Sequence, residues 1–329
     1  MTDSGNSFIL EFSKESLDAA FTELKSVQEA FGNFSIEFFI DGIAKIKGDV
    51  EPAKRLSFIR YASRIIQEAV DIEELKGLSL PPGKFNVRIN RGNSNSTISE
   101  SLIGETIGGM GRISFSAPDF RLRAIYSRKW YLCLLEYQSN RSEMEARKAP
   151  LRPFFSPVSM HPKYARFMVN SLSLKPGATI LDPFCGTGGI LIEAAKLGYR
   201  VIGNDISLKM FKGARLNLKF MGIADYGLHN KDFLDLVPEK KVNGIVTDLP
   251  YGRSSSLGAY SIEELYSKTI DKFASMLEAG EKCCVAVSSQ DIVKMAEKHF
   301  EVSSIIPVRQ HRSLTRYYIT MVRQESSSL

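Results

Sequence analysis

Asp248-Leu249-Pro250-Tyr251 is the run in this chain whose residue types most directly suggest chemistry. The carboxylate closes an apolar stretch, Gly244-Ile245-Val246-Thr247, and Gly252 with a polar loop follows the phenol ring. A nitrogen attached to an aromatic ring or an amide is a poor nucleophile, because its lone pair is delocalised. A carboxylate and a backbone carbonyl accepting its two N–H bonds would localise charge on it during attack and would aim it. Asp248 supplies the carboxylate. The carbonyl of Leu249, restrained by Pro250, is the expected second acceptor. Tyr251 offers a face to a planar group, a stack worth about 1–3 kcal/mol for a nucleobase. Taken alone, the run also fits a surface turn in which Tyr251 covers a sheet edge.

Further acids recur upstream at the ends of expected strands. ATILDPFCGTGGILIEAAKLG reads as a strand, a glycine-rich turn and a helix. Asp182, Pro183, Phe184 and Cys185 lead into Gly186, Gly188 and Gly189, where the backbone can turn sharply and pass close to a ligand. YRVIGNDIS ends in Asn204-Asp205-Ile206, an acid placed for both hydroxyls of a ribose. HNKDF puts Asp232 and Phe233 at the next strand end, suited to an adenine amine and its ring. A dinucleotide site would carry G-x-G-x-x-G and seat a pyrophosphate on the helix N-terminus. Here Asp182 stands in the turn and would repel it. The pattern favours a cationic nucleoside without phosphates, S-adenosylmethionine.

Three segments must position these residues. From about residue 160 strands alternate with helices, the signature of a mostly parallel sheet covered by helices, which binds ligands at its carboxyl rim. Residues 1 to about 50 read as a strand, a helix and two further strands. The next segment is expected to open with an amphipathic helix, PAKRLSFIRYASRIIQEAV, with Pro52 in its first turn. FNVRINRG then alternates at period two, ISESLIGETIGGMGR reads as a helix stopped by Gly108, Gly109 and Gly111, and two or three strands follow. APLRPFFSPVSMHPKY is a proline-rich joint.

Composition bounds the answer. A chain of 329 residues with 43% hydrophobic content suffices for two or three packed domains. No run of about 18 uncharged apolar residues points to a membrane span, and MTDSGNSFILEF does not read as a secretory signal. The expected location is the cytoplasm, with Cys133, Cys185, Cys283 and Cys284 as buried reduced thiols. These cysteines and the four scattered histidines have no metal-ligand spacing, so no metal is expected. The net charge of +6 divides unevenly: −5 over residues 1–80, +5 over 81–150 and +6 over the remainder. A basic middle segment fits a polyanion on one face, or an ordinary solvated surface. Arg88, Arg91, Arg112, Arg121, Arg123, Arg128 and Lys129 carry much of its excess and are candidate phosphate contacts. Arg121 and Arg123 fall on one face of a strand. His311, Arg312 and Arg316, between the last two expected strands, are further candidates near the Asp248 run.

LDPFCGTGG, GNDIS and TDLPYG resemble the motifs of class I methyltransferases of the amino-group type. FNVRINRG, ESLIGETIGG and SAPDF resemble a THUMP domain, an RNA-binding module. With RPFFSPVSMHPKYARFMVN and HRSLTRYYI, nearly the whole chain resembles the archaeal tRNA (guanine-10-N2)-methyltransferases. The resemblance implies an α/β fold. A Rossmann-like methyltransferase domain with a seven-stranded mostly parallel sheet would span residues 161–329. An α+β ferredoxin-like domain (1–50), a THUMP domain (51–145) and a linker (146–160) would precede it. It implies transfer of one or two methyl groups from S-adenosylmethionine to the exocyclic N2 of guanosine at position 10 of tRNA. Asp248 and Tyr251 would be the catalytic pair, with Leu249 and Pro250 between them. Asp182, Phe184, Gly186, Gly188, Asp205, Asp232 and Phe233 would line the cofactor. His161 and Pro162 would close over its methionine part, or merely cap a helix. The implied partners are tRNA and, as in some relatives, a small zinc-binding activator protein. Leu249 departs from the family pattern, which has proline there. The alternatives are an rRNA guanine-N2 methyltransferase, a protein glutamine methyltransferase and a catalytically inactive RNA-binding factor. A basic RNA module argues against the protein substrate, and intact Asp182, Asp205 and Asp248 argue against the inactive factor.

Overall fold

A computed structural model describes residues 6–92, 97–108, 112–157, 159–238, 241–250, 261–311 and 314–325. The chain divides into two compact units, 1–139 and 140–329.

The first unit comprises β1 (Ser7–Phe12), α1 (Leu17–Phe31), β2 (Phe34–Ile40), β3 (Ile43–Gly48), β4 (Ile59–Ala69), β5 (Phe85–Asn90), α2 (Glu100–Gly108), β6 (Phe120–Ser127) and β7 (Lys129–Gln138). Its strands form one sheet in the order β2-β3-β1-β4-β7-β6-β5. Every pairing is antiparallel except β5 with β6. Because β1 lies between β3 and β4, the sheet runs without a break across the boundary expected near residue 50.

The helix expected from Pro52 onward is corrected. Pro52 opens a single 3-10 turn, Glu51–Arg55, and β4 follows. The cause lies in two irregularities of the β4–β7 register, between Ala62 and Ser63 and between Ile65 and Gln67. Each bulge resets the in–out alternation. The buried apolar residues Ile59, Ala62, Ile65 and Ala69 therefore recur every three or four positions and imitate a helical stripe. The glycine stop expected after this segment falls partly outside the described residues: Gly108 ends α2, whereas Gly109 and Gly111 are not described.

The second unit runs α3 (Arg141–Glu145), α4 (Pro162–Asn170), β8 (Thr179–Asp182), α5 (Gly189–Lys196), β9 (Arg200–Asn204), α6 (Leu208–Phe220), β10 (Tyr226–His229), β11 (Gly244–Asp248), α7 (Ile262–Met276), β12 (Lys282–Val287), α8 (Ile292–Ala296), β13 (Phe300–His311) and β14 (Leu314–Arg323). Its seven strands are ordered β10-β9-β8-β11-β12-β14-β13. Neighbours from β10 to β12 pair in parallel, and β14 pairs antiparallel with both β12 and β13. The chain first builds outward from β8 through β9 to β10, then returns to lay β11 on the other side of β8. Such a reversal opens a crevice at the carboxyl ends of the two central strands. Asp182 ends β8 and Asp248 ends β11, so the topology alone sets both carboxylates at that crevice. Among the described residues no helix is long and apolar enough to cross a membrane.

Candidate active site

Asp182 is fully buried, and its Oδ1 accepts hydrogen bonds from Thr247 Oγ1 at 2.7 Å and from the Phe184 N–H at 3.3 Å. Burial pushes its carboxyl up to about 8, with Asp248 and Asp205 adding to the rise and the two hydrogen bonds opposing it. After Phe184 the chain turns through Gly186 (φ 51°) and Gly188 (φ 79°), left-handed conformations that favour glycine. The turn brings the Gly186 N–H onto Asp205 Oδ2 at 2.9 Å, and the other oxygen of Asp205 takes the Ser207 N–H at 2.9 Å. Burial raises the Asp205 carboxyl above its usual range as well.

A cavity of about 140 Å³ opens beside this turn. Its walls include Asp182, Phe184, Gly186, Met210 and Asp248, so it reaches from the glycine turn to the end of β11. Segment 152–160 forms another wall through Ser156, Ser159 and Met160. Asn217 on α6 holds this strap: its side chain accepts from the Phe154 N–H and donates to the carbonyls of Phe154 and Thr187, each at 2.9 Å. The Phe154 ring lies where a side chain on Gly213 would stand, 2.0 Å from the position of a Cβ.

Several expected cofactor residues have other work. Asn204 is buried, donating to the carbonyls of Pro183 and Lys231 and accepting from the Lys231 N–H, so it clasps two loops. Cys185 is a buried thiol whose N–H bonds the Asn204 carbonyl. Ile206 is 47% exposed. Asp232 caps a short 3-10 turn through the Leu234 N–H. The Phe233 ring is 2% exposed in the core beneath the rim, 5.4 Å from Phe184 and 5.6 Å from Phe273. It cannot offer a face to an adenine as it stands; it backs Phe184, which lines the cavity. His161 caps α4, its Nδ1 accepting from the Lys163 N–H at 3.1 Å.

At the end of β11, burial pushes the Asp248 carboxyl up to about 6 against the opposing charge of Arg316. Arg316 Nη2 lies 3.4 Å from Asp248 Oδ2. This corrects the expectation that Arg316 meets RNA phosphates: it is buried on β14 beside the carboxylate. Leu249 is 1% exposed, its side chain is part of the core and its N–H bonds the Ala286 carbonyl at 3.0 Å. Pro250 is fastened through its carbonyl, which accepts from Tyr266 Oη at 3.0 Å. Thus the residue that departs from proline is anchored by packing and a hydrogen bond. Tyr251, Gly252, Arg253, Ser254–Ser256 and Arg312 lie outside the described residues, as does the side chain of His311.

The basic residues of the first unit divide. Arg123 is corrected: it is bound to buried Glu11, with Nη2 2.7 Å from Oε2, and stacks at 4.0 Å over Tyr61. Lys129 pairs with Glu68, and Arg88 pairs with Glu100 at 2.8 Å. Arg112 donates to the carbonyls of Pro81 and Gly83, and Arg91 to that of Ile98. Arg121 and Arg128 are exposed. Thr247, Tyr266 and the Arg316 pairing escape sequence reasoning, because nothing along the chain ties them to the rim. Strand register does so for Thr247 and Arg316, and the packing of α7 does so for Tyr266.

A sheet of this order, with a glycine turn after its first strand and acids ending the central strands, is that of a class I S-adenosylmethionine-dependent methyltransferase. The model of the RMKL-like methyltransferase domain matches residues 150–318. The chain is 36% identical over 284 residues to a tRNA (guanine(10)-N2)-dimethyltransferase of Methanothermobacter thermautotrophicus, covering 80% of this chain and 82% of that one. It is 36% identical to the Pyrococcus abyssi enzyme of the same name over 227 residues, 68% of each chain. Among solved structures, TrmN from Thermus thermophilus shares the fold with a TM-score of 0.58 at 17% identity, over 96% of this chain and 99% of that one. The chain belongs to the RMKL-like methyltransferase family, among the archaeal tRNA (guanine(10)-N2)-dimethyltransferases.

Proposed function

We propose that this protein transfers one or two methyl groups from S-adenosylmethionine to the exocyclic N2 of guanosine at position 10 of tRNA. The observation that carries the reading is a single cavity walled by both Asp182 and Asp248, a cofactor carboxylate and a substrate carboxylate facing one space. The residues fit the cofactor: a buried carboxyl raised by desolvation would be relieved by a cation, and left-handed glycines let a nucleoside approach the backbone. Bound there, S-adenosylmethionine supplies an electrophilic methyl on a positively charged sulfur.

The chain's own residues then orient and polarise. Asp182 balances the positive end of the cofactor. Asp205 would hold the ribose and Asp232 the adenine amine, with Phe233 backing Phe184 from the core. Asp248 and the Leu249 carbonyl accept the two N–H bonds of guanine N2, concentrating charge on the nitrogen as it attacks. Once methylated, the nitrogen would lose one proton to solvent, so Asp248 need not be a strong base. Tyr251 supports the base by stacking. Arg121 and Arg128, both exposed, are the phosphate contacts of the first unit. A small zinc-binding activator is a second proposed partner, and a tRNA substrate makes the cytoplasm the expected place of work.

The test combines purified protein, radiolabelled S-adenosylmethionine and unmodified tRNA transcript, with a second transcript altered at position 10. Label recovered as N2-methylguanosine or its dimethyl form from the first transcript alone is the expected result. Label in both transcripts, or in another nucleoside, would overturn the assignment. A rise in turnover on adding the activator would establish that partner.

A further inference from the structure

Thr247 is buried one residue before Asp248, and its side chain reaches across to the end of β8. Its Oγ1 lies 2.7 Å from Asp182 Oδ1, which also takes the Phe184 N–H. That oxygen acts as an acceptor, and the Thr247 hydroxyl donates. The strand pairing gives this bond its place. On one side β11 is laddered to β12 as far as Asp248, opposite Ala286, and the Leu249 N–H bonds the Ala286 carbonyl beyond it. On the other side the register with β8 covers Gly244 and Ile245, opposite Ile180 and Leu181. Past that register the Thr247–Asp182 bond joins the two strand ends.

The strength of the bond depends on charge. A hydroxyl donates more strongly to a carboxylate than to a carboxylic acid. Burial raises the Asp182 carboxyl, and Thr247 is the largest of the influences that oppose the rise. A cation in the cavity would draw the proton off Asp182 and so tighten its bond to Thr247. The residue tightened is the covalent neighbour of Asp248, which walls the same cavity.

We propose that Thr247 is a positioning residue for methyl transfer: its hydroxyl ties the end of β11 to Asp182 and thereby holds Asp248 in register with the cofactor. This rests on the proposed reaction, with S-adenosylmethionine at Asp182 and the guanine amine at Asp248. An occupied cofactor site then firms the strand that carries the substrate carboxylate. The hydroxyl is the working part of the side chain. Valine keeps the shape and lacks it, serine keeps it, and alanine differs from serine by it alone.

The experiment takes two readings on the wild-type chain, Thr247→Val, Thr247→Ser and Thr247→Ala. The first is the proton release that accompanies S-adenosylhomocysteine binding, by calorimetry across pH. In wild type it should fade above about pH 8. In Thr247→Val, which lacks the donor that favours the charged carboxylate, the fade should move up by about one pH unit. The second is single-turnover methyl transfer to unmodified tRNA transcript at saturating cofactor. Thr247→Val should be about tenfold slower or more, and Thr247→Ser should stay near wild type in both readings. A purely structural role would lower the melting temperature without moving the proton release. An unmoved release, a wild-type rate in Thr247→Val, or a Thr247→Ser as impaired as Thr247→Val would each overturn the proposal. Should Thr247→Val fail to fold, the Ser and Ala variants must show the same two differences. Proton release needs no RNA, so its outcome is separate from the guanosine assignment, which fails if wild type leaves the transcript unlabelled.

Discussion

Asp182 and Asp248 end adjacent strands, and burial makes each hold its proton at a pH where an exposed aspartate would not. For Asp182, pushed up to about 8, this predicts proton release as the cationic cofactor binds near neutrality. Calorimetry in buffers of different ionisation enthalpy measures it; zero release would mean that the carboxylate is already ionised. The sign for stability follows. An unfolded aspartate titrates near about 4, so between that pH and about 8 the folded chain keeps protons that the unfolded chain gives up. Stability without cofactor therefore falls as pH rises through this window, and a flat melting temperature across it would contradict the assignment. In the role proposed for it, Asp248 polarises a guanine N–H bond best when ionised. With cofactor saturating, single-turnover methyl transfer should decline as pH drops through about 6. Arg316→Gln removes the opposing charge and should move that limb to higher pH, whereas a merely structural loss would lower the rate at every pH alike. Asp248→Asn should cut turnover by about 100-fold or more, the size of losing a polarising acceptor, while leaving cofactor affinity within a few-fold.

Just after β11, Leu249 is held by its side chain in the core and Pro250 by the Tyr266 hydroxyl on its carbonyl. Leu249→Ala should cost about 2–5 kcal/mol of stability, as buried leucines do. Tyr266→Phe should cost about 1 kcal/mol yet lower kcat with little change in cofactor affinity; a fall in cofactor affinity alone would refute this role. The strap offers a parallel case. Gly213→Ala would drive a methyl into the Phe154 ring and should weaken cofactor binding, with unchanged affinity meaning that the strap can shift at no cost. Much of the rim was legible in the sequence because Asp182, Asp205 and Asp248 each follow an apolar run that ends where the strand ends. β4 was not, since its bulges rewrite period two as three-and-four. Nor was the burial of Phe233, because the polar run before it, His229 to Asp232, does not say which way the ring faces. Arg316 reads as one more basic residue until β14 is laid beside β12.

Across the molecule, the charge excess of residues 81–150 overstates what can meet RNA. Arg123 is tied to Glu11 on β1, Lys129 to Glu68 on the neighbouring β4, and Arg112 to backbone carbonyls. Arg121→Ala and Arg128→Ala should therefore weaken tRNA binding and reduce the dependence of log affinity on log salt, by about 0.7–0.9 for each phosphate no longer neutralised. Arg123→Ala should instead destabilise the first unit by about 3–5 kcal/mol, the cost of stranding a buried Glu11. A lowered salt slope in Arg123→Ala with an unchanged melting temperature would reverse that division. The position of β14 carries a different consequence, for synthesis on the ribosome. Translation delivers β12 and β13 before β14, although β14 pairs between them. Until it emerges, the nascent chain carries β12 as an open edge, a template for wrong partners, and Asp248 waits without the arginine that neutralises it. A growing chain thus completes its sheet and its reaction centre in the same late event, and a stall before residue 314 would leave an exposed edge together with an unfinished enzyme.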